Sequence, residues 1–143
     1  RINMPHILCT AARCCTNQGD YQMTTETLIP TTDRFANHCG YSDVHPYEIV
    51  RIVSEKCIEV RAMDTGENKT ELKFHVGGFS AHCSNQHAQD YDYTSNPDNA
   101  VTKIRLNRTG THHDGTPILT WKSKHGARFV IADAPHKFHD FNF

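Results

Sequence analysis

Short stretches of alternating apolar and polar residues run through the second two thirds of the chain. In residues 57–63, Ile58, Val60 and Ala62 alternate with charged residues, which is the two-residue period of a half-buried strand. A β-branched apolar run covers 48–54 and is separated from this segment by a two-residue break. The pattern therefore predicts a β-hairpin.

Further segments with strand-like patterns follow, each bounded by Gly, Pro, Asn or Asp; they are 72–76, 102–106, 118–122 and 128–132. Helical periodicity is confined to about one turn within 81–89. Many short strands at close spacing predict an all-β protein, namely a small SH3-like barrel or a partly open barrel with long loops and little helix. The predicted core consists of Ile49, Val50, Ile52, Ile58, Val60, Phe74, Ile104, Leu106, Trp121, Phe129 and Ile131.

The pattern divides the chain into three parts. Residues 46–143 are predicted to form a single β-barrel domain, and residues 23–45 form a polar, Thr-rich segment ahead of it. Residues 1–22 begin with Arg, lack periodicity and are expected to be a leader or upstream read-through, with Met23 as the natural start. The alternative is that residues 7–9 add an edge strand.

Three groups of residues give the chain a family resemblance. They are the hairpin 46–61; the strand, turn and aromatic positions Ile104, Leu106, Gly110 and Trp121; and the C-terminal residues Gly126, Arg128, Phe129, Ile131, Phe138, Asp140, Phe141 and Phe143. Together they resemble a family of small uncharacterised all-β proteins from phages, bacteria and environmental sequences, which end in an aromatic-Asp-aromatic-x-Phe tail. The resemblance implies an SH3-like barrel and a phage or environmental source, but no activity. The chain departs from the pattern in a long turn at 109–119 and an insertion at 77–100.

Length and composition narrow the class of protein. The chain has 143 residues, the size of one domain, with 37% hydrophobic and 22% charged residues, which excludes a disordered polyelectrolyte. No segment approaches the roughly 18 apolar residues of a membrane span, so no membrane association is expected. Beyond residue 22 there are three Cys, an odd number that favours reduced thiols. A cytoplasmic protein of a microbial or phage-infected cell is expected.

Charge is distributed unevenly along the sequence. Residues 23–100 carry 12 Asp/Glu against 6 Lys/Arg, whereas residues 101–143 carry 7 Lys/Arg against 3 Asp/Glu. A basic β-sheet face with aromatic groups can bind single-stranded nucleic acid, although solvated charges explain the same asymmetry. The candidate residues are Lys103, Arg105, Arg108, Lys122, Lys124 and Arg128, with Trp121, Tyr91 and Tyr93 as stacking groups; Trp121 also suits the core.

The chain is rich in His and Cys, which are the ligands that zinc prefers. His82, Cys83 and His87 have the closest spacing to a ligand set, and zinc is the cofactor they would hold. The chain contains no Cys-x-x-Cys motif, and a buried structural Cys with solvated His residues explains the same pattern. Our expectation is that the protein has no cofactor.

Catalytic signatures are absent from the sequence: it contains no Gly-x-Ser-x-Gly elbow, P-loop or dinucleotide fingerprint. The sequence therefore favours a non-enzymatic accessory or protein-interaction module with a protein partner or a second copy of itself. Single-stranded nucleic-acid binding is the first alternative, and metal binding through residues 82–87 is the second.

The C-terminal tail carries three aromatic residues, Phe138, Phe141 and Phe143. Because exposed aromatic area is costly in water, Phe141 and Phe143 are predicted to dock on the barrel, with Phe138 at a bend or on the opposite face. The alternative is an exposed patch that binds a partner.

Overall fold

The computed structural model describes residues 29–77 and 80–142. The expectations about residues 1–22, Met23 and Phe143 concern positions outside this range. Within it there is no helix long and apolar enough to cross a membrane. The described chain forms a 3₁₀ turn at Gln86–Ala88 and the strands β1 (Phe35–Cys39), β2 (Val44–His45), β3 (Tyr47–Ser54), β4 (Cys57–Ala62), β5 (Asp64–Thr65), β6 (Phe74–Gly77), β7 (Ser80–Cys83), β8 (Tyr93–Thr94), β9 (Val101–Thr111), β10 (Pro117–Ser123) and β11 (Arg128–Ala132).

Six of these strands close into an antiparallel barrel. Around the barrel their order is β1, β3, β4, β9, β10 and β11, and β11 pairs back onto β1 from Phe35 opposite Ala132 to Cys39 opposite Arg128. β2 pairs with the last two residues of β1, His38 and Cys39. Two further pairs of strands, β5–β8 and β6–β7, form separate two-stranded sheets. The prediction of an all-β, SH3-like small barrel is confirmed.

The barrel interior is filled by the inward-facing residues of strands in which apolar and polar side chains alternate. Ile58, Val60 and Ile104 are fully buried, as the alternation predicted. Ile58 of β4 lies directly opposite Ile104 of β9, so the two side chains share one face of the sheet. The remaining buried members of this core are Ala36, Ile49, Trp121, Phe129 and Ile131, and Tyr47, Leu106 and Ala127 pack against it.

Three residues of the predicted core are exposed. Val50 retains 38% of its accessible surface because it follows the buried Ile49 at a β-bulge, where no residue of β4 lies opposite it. Ile52 also retains 38%, although it lies directly opposite the buried Ile58. Phe74 is half exposed because its strand, β6, pairs with β7 in a hairpin that is not part of the barrel.

The polar segment assigned to 23–45 contributes β1 and β2, so the barrel includes residues ahead of 46. β1 has no apolar alternation, yet Ala36, Asn37 and Cys39 are buried on its two faces. The burial of Asn37 is compensated because its side-chain amide donates to the Ala134 carbonyl at 3.1 Å and its oxygen accepts the His136 amide at 2.9 Å.

The C-terminal tail crosses β2 and reaches the β6–β7 hairpin. The backbone of Phe138 exchanges two hydrogen bonds with Val44, at 2.9 and 3.0 Å. The ring of Phe141 meets Phe74 edge to face at 5.5 Å, and the Asn142 side chain pairs with both backbone groups of Cys83. Phe141 was predicted to dock on the barrel, but its ring packs on Phe74 of the β6–β7 hairpin instead.

Candidate nucleic-acid interface

The barrel wall formed by β9, β10 and β11 is basic. These strands contain five Lys or Arg residues and no Asp or Glu. Their alternation buries Ile104 and Trp121 in the core and turns the charged neighbours of these residues outward. One continuous sheet surface therefore carries positive charge without acidic residues of its own strands.

Strand register brings three of these cations into one row. Arg105 on β9 lies directly opposite Lys122 on β10, and Lys122 lies directly opposite Arg128 on β11. Directly opposed residues of an antiparallel sheet project from the same face, and neighbouring strands are about 4.8 Å apart. Arg105, Lys122 and Arg128, here called the cation ladder, span two strand spacings, or roughly 10 Å.

The nearest acidic group on the adjoining strand β4 is already balanced by cations. Glu59 accepts two hydrogen bonds from Arg51, each at 2.9 Å, and lies 3.8 Å from the Lys103 Nζ. The hydrogen bonds from Arg51 hold the pKa of the Glu59 carboxyl below its usual range. Glu59 therefore offsets part of the charge of Lys103 on β9, while Arg51 shares the same carboxylate.

Arg108 lies apart from the ladder although it is on the same strand. Its guanidinium donates to the Thr111 hydroxyl at 2.6 Å and to the Gly110 carbonyl at 3.4 Å, close to the turn that joins β9 to β10. The structure therefore places Arg108 with the turn rather than with Arg105.

The predicted aromatic stacking groups are not on the basic wall. Trp121 is only 3% exposed and belongs to the core, so its assignment as a stacking residue is corrected. Tyr91 is buried beside the tail, where its ring lies 4.8 Å from the Lys137 ammonium, and the Tyr93 hydroxyl accepts the Lys137 amide. Both tyrosines hold the C-terminal segment.

A different set of aromatic rings lies beside the ladder. At one end of the barrel, here called the mouth, β1 and β10 end and β3, β9 and β11 begin. The His38 and Phe129 ring centroids are 5.2 Å apart there, and Tyr47 meets Phe129 edge to face at 5.2 Å. His45 stacks on His38 at 5.9 Å.

The rings of His38, Tyr47 and Phe129 line a recess of about 470 Å³ that is open to solvent. Lys103 and Lys124 also line it, as do Thr102 and Ser123. The turn from β10 to β11 positions Lys124, because Gly126 adopts a φ of 86° and its amide closes the turn onto the Ser123 carbonyl at 3.0 Å. Partial burial, with a smaller contribution from His45, lowers the pKa of His38, which keeps its ring neutral at pH 7.

The aromatic lining was missed because it depends on residues distant in sequence. His38 lies in the segment described as polar, and Tyr47 and Phe129 resemble ordinary core residues. Only the pairing of β1 with both β3 and β11 brings the three rings together.

The predicted zinc ligands do not converge. His82 and His87 are exposed, whereas Cys83 is buried, a free thiol with its Sγ 3.7 Å from the Asn85 side-chain oxygen. No group of three or more His, Cys, Asp or Glu side chains suited to a metal ion occurs within residues 29–77 and 80–142.

Comparison of the chain with known protein families, curated proteins and solved structures finds no match. The family resemblance drawn from the sequence stays a prediction, and the case for function depends on the geometry of the basic wall and the mouth.

Proposed function

We propose that this protein binds single-stranded nucleic acid along the outer wall of β9, β10 and β11. The observation that carries the proposal is the cation ladder, in which Arg105, Lys122 and Arg128 project side by side from strands that contain no acidic residue. A positively charged surface that follows a phosphate backbone, with aromatic rings nearby for the bases, is the usual design of single-strand binders.

The position of the charges favours this function over simple solvation. Scattered surface charges mix both signs, whereas here the acidic excess lies in residues 23–100, and Arg105, Lys122 and Arg128 lie side by side on one sheet face. Such a face attracts a polyanion and raises its association rate. The proposal retains the expectation of a non-enzymatic protein and makes the first alternative from the sequence the leading one.

Binding of a fluorescent deoxythymidine oligomer, measured over a range of salt concentrations, tests the proposal. Each phosphate contact of a single strand contributes about −0.7 to the slope of log K against log salt, so three ladder contacts predict a slope near −2. Arg105→Gln and Lys122→Gln are each expected to weaken binding and to reduce the magnitude of the slope by about 0.7.

Lys73→Gln is the matched control, because it removes one exposed positive charge from a position outside the basic wall. It should leave the slope unchanged. Absence of binding at low salt, or equal effects of the ladder and control variants, would contradict the proposal. Melting temperatures of all variants establish that the fold is retained.

A protein-interaction role is supported by a second observation. Val50, Ile52 and Val53 expose between 38% and 42% of their surfaces on β3, so three apolar side chains close in sequence reach solvent. If they form a contact between copies, sedimentation should detect a dimer in the wild type and a monomer in Ile52→Ser. A wild-type monomer at all concentrations would exclude self-association.

A further inference from the structure

We propose that the recess at the barrel mouth is a subsite for one unstacked nucleobase of the bound strand, an inference that rests on the proposed function. The recess is bordered by the His38, Tyr47 and Phe129 rings, by the Thr102 and Ser123 residues, and by Lys124 at its rim. It would bind a planar group attached to an anionic backbone.

The same strands, β9, β10 and β11, contribute residues to both the recess and the cation ladder. Ser123 follows Lys122 in sequence and Phe129 follows Arg128, whereas Lys103, two positions before Arg105, lies on the outer face with it. Because successive residues of a strand point to opposite faces, phosphates on the outer face and a base at the mouth can be contacted by neighbouring residues. A strand that crosses the ladder towards the mouth therefore brings a base to the recess.

The size and lining of the recess suit a nucleobase. Its volume of about 470 Å³ lies within the 300–1,000 Å³ range of small-ligand sites. The edge-to-face contact of Tyr47 with Phe129, at 89°, and the stack of His45 on His38 hold the rings in fixed orientations. Fixed rings bind a planar ligand without losing side-chain entropy.

The charges at the recess match a phosphate-bearing ligand. Its lining includes Lys103 and Lys124 and no Asp or Glu. The hydroxyl groups of Thr102 and Ser123 can donate or accept, as base edges require. The ring of His38, whose pKa is lowered by burial, contributes a neutral aromatic surface at pH 7. An acidic or aromatic peptide would share part of this chemistry, so it is included as an outcome of the test.

The test compares a deoxythymidine oligomer with an abasic oligomer of the same length, which has the same phosphates but no bases. Since stacking on an aromatic side chain commonly strengthens binding about tenfold per base, the wild type should bind the thymidine oligomer about tenfold more tightly. Tyr47→Leu and His38→Leu should reduce this preference to about twofold or less without changing the salt slope.

Tyr41→Leu is the matched control, because Tyr41 is an 85% exposed tyrosine that does not line the recess. It should retain the full preference. Because either Tyr47→Leu or His38→Leu alone could fail to fold, both are tested. Their melting temperatures show which variants retain the fold.

The outcomes separate the two proposals. Equal binding of both oligomers by the wild type would overturn the base subsite while leaving the polyanion-binding wall intact. Binding of neither oligomer would overturn the proposed function itself. If an acidic peptide of equal charge bound as tightly as the thymidine oligomer and competed with it, the assignment to nucleic acid would be overturned.

Discussion

The sharpest test of the barrel core compares two isoleucines that the sequence pattern does not distinguish. Ile104 and Ile52 both belong to apolar strand patterns, but Ile104 is fully buried opposite Ile58, whereas Ile52 is 38% exposed. Substitution by Ala removes the same atoms from both positions. The two variants therefore measure burial with side-chain chemistry held constant.

The expected magnitudes follow from the buried area. At about 0.8 kcal/mol for each buried carbon, Ile104→Ala loses about 2.5 kcal/mol of transfer free energy, and the remaining cavity raises the loss to about 3–4 kcal/mol. Ile52→Ala is expected to cost about 1–1.5 kcal/mol, because part of the side chain already contacts water and the site leaves no enclosed cavity. The free energies of unfolding should thus differ by about 2 kcal/mol between the variants.

Urea denaturation followed by circular dichroism provides the measurement, with equal m-values showing that both variants unfold from the same compact state. Equal losses of stability in the two variants would refute the difference in burial between Ile104 and Ile52. A loss for Ile104→Ala within experimental error would refute its burial.

Three further predictions concern the tail, the buried amide and pH. Asn37→Ala should lower the free energy of unfolding by about 1–3 kcal/mol because its two backbone partners lose their hydrogen bonds inside the protein, whereas Asn107→Ala, on an exposed residue, should change it by less than about 0.5 kcal/mol in urea titrations. Deletion of residues 138–143 removes the bridge to Val44 and should lower the melting temperature; an unchanged value would mean that the tail does not stabilise the fold. Burial lowers the folded-state pKa of His38 from 6.5, so the unfolded chain protonates first as pH falls, and the free energy of unfolding should decrease below about pH 6.5. Urea unfolding midpoints measured between about pH 7.5 and pH 5.5 test this decrease, and the midpoint of His38→Gln should depend less on pH. A wild-type midpoint that rises on acidification would contradict the prediction.

The strands with clear alternation were predictable from the sequence. β4 and β9 place Ile58 and Ile104 inside the barrel as their patterns indicate, because a two-residue period with one covered face leaves a single favourable register. The same pattern could not show whether a strand joins the barrel. Phe74 alternates as well as Ile104 does, yet it lies in a separate hairpin because pairing partners are set by the whole fold.

β1 was not predicted because its buried residues are two small apolar side chains, Ala36 and Cys39, and one polar side chain, Asn37, which give no apolar alternation. Asn37 is fully buried only because the tail supplies two hydrogen-bond partners from about a hundred residues later. A short-range pattern contains no sign of such a compensation.

The candidate site was predictable in composition but not in arrangement. The basic residues of β9–β11 were identified from the sequence, whereas the pairing of Arg105 with Lys122, and of Lys122 with Arg128, requires the strand register. The aromatic contribution was assigned to Trp121, Tyr91 and Tyr93, while the rings beside the ladder belong to other residues.

Closure of the barrel by β1 and β11 has a kinetic consequence. The hairpins β3–β4 and β9–β10 join neighbouring segments and can form early, but β1 and β11 come from opposite ends of the described chain and must meet across a long loop. The mouth needs His38 from β1 and Phe129 from β11, so its recess requires this long-range pairing. Two members of the cation ladder, Arg105 and Lys122, lie on one hairpin and are aligned without it. Opening of the β1–β11 pairing alone would therefore remove the proposed base subsite but leave these two cations side by side, so base preference would report on closure of the barrel.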